Sequence, residues 1–320
     1  MSTPFHRAAV RLRHAHSVVV CGHIRPDGDA VGSVLGLTLA LRDAGVAAVP
    51  VLADADDPPR TYDFLPGFAL FMHVADLETP DVFVALDTPN FDRLGEAEQM
   101  ARDAEELIVI DHHPDNSEFG DVNIVDSRSA ASGQLVWRLV ERLETDPSPE
   151  VAMCCYVGLM TDTGRFQFDN TTPQTFRDAA EMIEAGVNPA EASRLVYQER
   201  TAPSLALQAR MMSRITLVNG GRVAYSWMDQ ADFDEAGALP EEAEYLPDAL
   251  RQIGGVDAIA LLRVADGEVR GNLRAKTGAD VGAVARTLGG GGHRPAAGFT
   301  FSGNLEECLA VLLPLLPGGE

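Results

Sequence analysis

The sequence predicts an α/β protein, with a mostly parallel sheet flanked by helices followed by a smaller α/β unit. Short apolar runs alternate with helix-length amphipathic stretches through the first two thirds of the chain, as in a sheet covered on both faces. The pattern changes near residues 190–215, beyond which pairs of strands surround the turns Asn219-Gly220-Gly221 and Asp266-Gly267. A length of 320 residues, 46% of them hydrophobic, suits two cores of ordinary domain size.

Ser17–Cys21 is a buried-strand run ending at Gly22-His23. The spacing of Val31, Val34, Leu35, Leu37, Leu39 and Leu41 predicts a helix from about Asp29 to Ala44, stopped at Gly45. Val46–Leu52, Asp81–Leu86 and Leu107–Ile110 read as further strands. Ser132–Leu143 predicts a helix, as do Val151–Met160 (with a strand as the alternative) and Pro173–Ala185. Glu191–Arg214 reads as one helical connector. Ile215–Val218 with Arg222–Met228, and Ala258–Val264 with Glu268–Leu273, predict two strand pairs. A strand near Gly298–Phe301 and a closing helix Leu305–Leu315 complete the second unit. The expected domains are 1–195 and 215–320, joined by a connector at 196–214.

A net charge of −23 with almost no lysine argues against long nucleic acid, whose binding needs a basic face that displaces many counterions. Small phosphorylated ligands stay open, because bound divalent cations would reverse the local field. The four cysteines, Cys21, Cys154, Cys155 and Cys308, lie in apolar segments without a CxxC pair, so neither a disulfide nor a thiolate zinc site is expected. No apolar run is long enough to span a bilayer, and Met1–His16 lacks a signal-peptide core. The expectation is a soluble cytoplasmic enzyme without a membrane partner.

The chemistry-bearing residues follow the strand ends. Val18–Cys21 runs into His23, Asp27 and Asp29; Val82–Leu86 ends in Asp87; Leu107–Ile110 ends in Asp111-His112-His113; and Asp162 follows another apolar element. In an open α/β sheet, ligands bind beyond the carboxyl ends of the strands, so these groups are expected to converge. Taken singly, Asp27-Gly28-Asp29 also reads as a turn with Asp29 capping the next helix, and Asp87 as a turn residue. A strand end does not by itself call for adjacent imidazoles. So many carboxylates repel one another unless cations intervene. Mixed carboxylate and imidazole donors suit Mn²⁺ or a similar first-row ion, and two such ions suit in-line displacement at phosphorus.

Gly289-Gly290-Gly291-Gly292-His293-Arg294 reads as an anion-binding loop, with a plain flexible loop as the alternative; Arg274, which closes a nearby strand, either points at the same anion or is a solvated surface arginine.

Gly22-His23-Ile24-Arg25-Pro26-Asp27-Gly28-Asp29-Ala30, Asp87, Asp111-His112-His113 and Asp162 resemble, in order, the four motifs of the DHH phosphoesterase superfamily. Gly289–Gly298 resembles the glycine-rich signature of the DHHA1 domain. The length looks like the stand-alone NrnA-type group, the oligoribonuclease (nanoRNase)/pAp phosphatases. RecJ exonucleases carry extra parts, and manganese pyrophosphatases end in a different second domain. The resemblance implies a DHH domain, a DHHA1 domain, and an active site in the cleft between them. It implies that His23, Asp27 and Asp87 hold one metal, and that Asp29, Asp87, His112 and Asp162 hold the other. Asp111 would orient an imidazole, and His113 would face the scissile phosphate as donor or leaving-group acid. Gly290, Gly291, Gly292, His293, Arg294 and Arg274 would bind substrate. The implied cofactor is Mn²⁺, two per site, with Mg²⁺ or Co²⁺ as substitutes.

The function expected is hydrolysis of short oligoribonucleotides to nucleoside monophosphates by a two-metal activated hydroxide, together with dephosphorylation of pAp to AMP. The alternatives are a c-di-AMP/pApA phosphodiesterase, a RecJ-like exonuclease on single-stranded DNA, and, more remotely, a non-catalytic nucleotide sensor. The expected partners are short RNA or small phosphorylated nucleotides, with no long duplex; a homodimer is compatible with this reading.

Overall fold

The structure, a computed structural model, describes residues 3–54, 59–243, 246–292 and 294–319. The chain divides into two compact units, 1–199 and 200–320.

The first unit contains, in order, α1 (Pro4–His14), β1 (Val18–Cys21), α2 (Gly28–Asp43), β2 (Ala48–Val51) and β3 (Val82–Leu86). α3 (Glu98–Asp103), β4 (Glu106–Asp111), β5 (Val122–Val125) and α4 (Ser132–Val140) follow, then α5 (Pro149–Asp162), α6 (Pro173–Glu184) and α7 (Pro189–Tyr197). The five strands form a wholly parallel sheet in the order β2-β1-β3-β4-β5. All of β1 and β3 is buried, so their valine-rich sequences need no polar alternation. One face packs on α1, α2, α4 and α5 through Leu12, Leu35, Val84, Ile110, Leu135 and Val157. The other packs on α3 and its neighbours through Val19, Phe83, Leu94, Ala101 and Val109.

Helix starts follow side-chain acceptors. Ser148 caps α5 ahead of Pro149, and Thr172 closes a capping box with Thr175 at the start of α6. The stretch read as one connector helix is two, α7 and α8 (Ala202–Ser213), because Thr201 caps a fresh helix with Pro203 in its first turn.

The second unit continues with β6 (Thr216–Val218), β7 (Val223–Asp229), α9 (Gln230–Ala236), α10 (Leu246–Arg251), β8 (Ala258–Ala265) and β9 (Glu268–Ala275). It ends with α11 (Val281–Thr287), β10 (Gly291–Gly292), β11 (Ala296–Ser302) and α12 (Leu305–Leu312). Its sheet order is β10-β11-β9-β8-β7-β6, antiparallel except for β7 beside β8. Val269, Leu273 and Phe299 face α11 and α12. Ala224, Ile259 and Leu261 face α8, α9 and α10. Among the described residues no helix is long and apolar enough to cross a membrane.

Candidate metal centre

The order β2-β1-β3 places the switch point of the sheet between β1 and β3, and ligands of open α/β sheets bind beyond the carboxyl ends of strands at such a point. His23 and Asp27 leave β1 there, and Asp87 leaves β3. Asp87 adopts φ +55°, a left-handed conformation in which its N–H donates to the Ile110 carbonyl at 3.0 Å. Such backbone strain in a buried aspartate persists only where surrounding contacts enforce it. β4 delivers Asp111, His112 and His113, and Asp162 is the last residue of α5.

The N-cap of α2 is Asp27 rather than Asp29: its Oδ1 accepts from the N–H groups of Asp29 (3.0 Å) and Ala30 (3.1 Å). Asp29, in the first turn of α2, is 1% exposed. It meets the end of α5 because the two helices approach through glycines. A Cβ at Gly28 would stand 2.6 Å from the Thr161 side chain, and one at Gly32 2.5 Å from the Cys154 carbonyl oxygen.

The donor atoms collect in three overlapping groups that could hold metal ions: His23–Asp27–Asp87, Asp29–His112–Asp162 and Asp87–His112–His113. His23 Nε2 lies 3.8 Å from Asp27 Oδ1 and 3.4 Å from Asp87 Oδ2. His112 Nε2 lies 3.4 Å from Asp87 Oδ1, 3.3 Å from Asp162 Oδ2 and 4.0 Å from Asp29 Oδ2. Adjacent ligands around a cation with bonds of about 2.1 Å stand roughly 3.0–3.5 Å apart, close to most of these separations. Hard carboxylates with imidazoles, and no thiolate, fit a divalent first-row ion or Mg²⁺.

The charges fit the same reading. Burial raises the pKa of Asp29 well above the ordinary range, and the Asp87 and Asp162 charges add to it. Asp162 is pushed up to about 7 by burial, then by Asp27 and Asp87, against the pull of His112. Burial alone would lower His23, but hydrogen bonding and attraction to Asp27 and Asp87 prevail and hold it at about 10. For His112 too, burial is outweighed by Asp162, Asp87 and Asp29, and its pKa rises. Asp87 goes down, its burial overcome by hydrogen bonds from His112 and His23. The cluster thus keeps protons that a cation would displace.

Neighbouring groups hold the donors in place. At the start of α4, the N–H groups of Ser132 (2.6 Å) and Gly133 (2.8 Å) donate to the Asp29 carboxylate, and Ser132 Oγ donates to Asp87 Oδ1 at 3.0 Å. Asp111 accepts from the His112 N–H (2.8 Å), His113 Nδ1 (2.7 Å) and Asn116 Nδ2 (2.6 Å). His23 Nδ1 lies 2.8 Å from the Ile24 carbonyl, which leaves Nε2 toward the carboxylates. Arg93 approaches that same Nδ1 at 3.0 Å. Ser132, Gly133, Asn116 and Arg93 were not singled out in the sequence. Only Asn116, five residues beyond Asp111, sits close enough to a motif to have been noticed.

In the second unit, the glycine segment is part loop and part strand. The N–H groups of Gly289 and Gly290 donate to the Arg286 and Ala285 carbonyls at the end of α11, while Gly291 and Gly292 pair with Gly298 and Ala297. A Cβ on Gly290 would stand 2.1 Å from the Gly298 carbonyl oxygen, so close strand packing alone requires that glycine. Arg294 donates to the Gly278 carbonyl at 2.7 Å, and Arg274 to its neighbour Leu273 at 3.0 Å. His293 lies outside the described residues.

The DHH family, N-terminal domain, matches residues 17–159, and the DHHA1 domain matches residues 220–316. The bifunctional oligoribonuclease and PAP phosphatase NrnA of Thermus thermophilus is 33% identical over 288 residues, covering 89% of this chain and 84% of that protein. The chain belongs to the DHH family. A second relative of this DHH protein, the enzyme of the same description from Bacillus subtilis, is 28% identical, with 88% of each chain covered. In fold, the DHH chain is similar to an exopolyphosphatase-related protein from Bacteroides fragilis, with a TM-score of 0.90, 24% identity, and 96% and 94% of the two chains covered. This DHH protein is a hydrolytic phosphoesterase.

Proposed function

We propose that this enzyme is a divalent-metal phosphoesterase that releases nucleoside monophosphates from RNA of a few nucleotides and removes the 3′-phosphate from pAp. The observation that carries the reading is the pair of donor groups joined at Asp87, in a chain similar across its length to proteins described as oligoribonuclease and PAP phosphatase. His23, Asp27 and Asp87 would hold one metal; Asp29, Asp87, His112 and Asp162 would hold the other. When bound, two Mn²⁺ or Mg²⁺ ions supply Lewis acidity at phosphorus and a nucleophile at neutral pH.

The chain's own groups have distinct tasks. Ser132 and Gly133 fix the Asp29 carboxylate, and the left-handed turn at Asp87 aims one carboxylate at both imidazoles. Asp111 accepts a hydrogen bond from the Nδ1–H of His113, which would direct Nε2 to the phosphate, where the protonated ring can give that nitrogen's proton to the leaving oxygen. Attraction to Asp111 and Asp87 outweighs burial and raises the His113 pKa, favouring the proton-carrying form this task needs. The acidic surface disfavours long strands while leaving short ones to the site.

The test is turnover of pAp, pApA, cyclic c-di-AMP and RNA of two to five nucleotides with Mn²⁺. Release of monophosphates from short RNA and of phosphate from pAp is expected. Faster turnover of the cyclic dinucleotide than of every linear substrate would overturn the assignment.

A further inference from the structure

One face of the second-unit sheet brings two arginines, Arg263 and Arg270, side by side. Arg263 on β8 and Arg270 on β9 are directly opposite in the register, so their side chains share a face. Like charges in this arrangement destabilise a strand pair. Four other arginines of this unit are in ion pairs, Arg210 with Glu235, Arg214 with Asp232, Arg222 with Asp257 and Arg251 with Asp248, while Arg286 and Arg294 donate to backbone carbonyls. Among the described residues, neither Arg263 nor Arg270 forms an ion pair. Arg263 instead lies over the Phe233 ring, 4.6 Å from its centre, and its pKa is lowered by burial and by the charge of Arg270. Glu268, the acid nearest along that face, is exposed and engages neither of them.

Toward β11 the face is open and polar, whereas toward β7 it is covered by α9, whose Phe233 packs against Arg263. Arg270 pairs across β11 with Thr300, and Asn272 with Gly298; Arg270, Asn272 and Thr300 are exposed. Arg274 is on the same face four residues along β9, about 13 Å from Arg270 at strand spacing. That span exceeds the separation of the two phosphates of one nucleoside bisphosphate. In a chain with 48 acidic and 25 basic residues, an arginine pair outside any ion pair, beside an open stretch of sheet, concentrates positive potential where an anion can reach it.

We infer that Arg263 and Arg270 form a phosphate subsite that binds the backbone of an oligonucleotide at a distance from Arg274, so that it is engaged by short RNA and missed by pAp. The inference rests on the short-RNA reading above and extends it to a device that senses substrate length. Phosphate is recognised there by charge alone, without dependence on base sequence.

The experiment compares full-length wild type, Arg270→Ala and Arg270→Lys, with Mn²⁺, on a pentaribonucleotide and on pAp. Arg270 is exposed, so the alanine variant is expected to fold, and the lysine variant keeps the charge. For Arg270→Ala the KM of the pentamer should rise about fivefold or more with kcat held, and its log–log salt slope should fall by about 0.7. The KM of pAp should not move, and Arg270→Lys should restore most of the pentamer affinity. Equal losses for both substrates, or no loss for the pentamer, would overturn the subsite. If the wild type turns over neither substrate, the functional reading fails. Anisotropy of a labelled pentamer on the metal-free chain then tests the subsite alone, with inorganic phosphate and ATP as competitors. Arg270-dependent binding of ATP but not of the pentamer would assign the arginines to a free nucleotide and overturn the proposal.

Discussion

A Cβ on Gly158 of α5 would stand 2.6 Å from Oδ1 of Asp29 on α2. The carboxylate of one helix therefore rests on the bare backbone of the other, while the Ser132 and Gly133 amides hold it from a third. Gly158→Ala must displace Asp29 or part the helices. We expect a loss in kcat/KM of about 100-fold, as for a ligand misplaced by about 1 Å. Overpacking should remove about 1–3 kcal/mol of stability. Calorimetry of Mn²⁺ binding checks the cause, since wild-type metal affinity in this variant would exclude displacement of Asp29.

Replacement of Asp87 separates fold from ligation. Asparagine tolerates φ +55° and still accepts from Ser132, so Asp87→Asn should fold and, with both chains metal-free, lose less stability than Asp87→Ala. Alanine in the same conformation costs about 1–2 kcal/mol. Both variants should lose hydrolysis and bound metal, measured by mass spectrometry of the purified protein. Full metal content together with activity in Asp87→Asn would refute the shared-ligand role.

The metal-free chain should respond to pH in an unusual direction. Asp162 holds its proton to about 7 in the folded state against 3.8 ordinarily, so the folded state binds more protons between these values and stability falls as pH rises through them. His23, held at about 10, contributes stability that is complete below its ordinary 6.5 and lost as pH climbs through 10. Asp27 and Asp87 are lowered, and their contribution disappears only in acid, below the ordinary carboxylate range. Metal-free stability should therefore decline from pH 5 to pH 9. Because metal displaces these protons, Mn²⁺ should raise the melting temperature more at pH 8 than at pH 5.5. Scanning fluorimetry with and without EDTA measures both; a larger shift at the lower pH would contradict the assignment.

Asn116 is the other side of the Asp111 carboxylate from His113, and it also ties that loop to the Thr88 carbonyl. Asn116→Ala should lower kcat about 10–100-fold through a misaimed imidazole, with KM much less affected. An unchanged kcat would remove His113 alignment from the account of catalysis.

The His and Asp residues that the structure brings together were legible in the sequence because each follows an apolar run, and parallel strands bring their carboxyl ends together whatever their spacing along the chain. Their supports were not. Ser132 and Gly133 hold Asp29 through backbone N–H groups, which every residue but proline supplies, and Arg93 reaches His23 only after the segment behind β3 folds back. β5 and α1 were also missed. The Val122–Val125 run is short and alternates in burial at the sheet edge, and α1 is rich in basic residues and weakly apolar. The tetraglycine segment read as a loop, yet half of it pairs with β11, because strand packing and ligand approach favour glycine equally.

The glycine-mediated contact of α2 with α5 also bears on thiol chemistry. Cys154 and Cys155 are fully buried, with their pKa values raised by burial, and a Cβ on Gly36 would stand 2.8 Å from Cys155 Sγ. Alkylating reagents should leave the folded enzyme active, because these thiols react only when the two helices part. The rate of their labelling is thus a clock for the opening of the joint that sets Asp29 against Asp162.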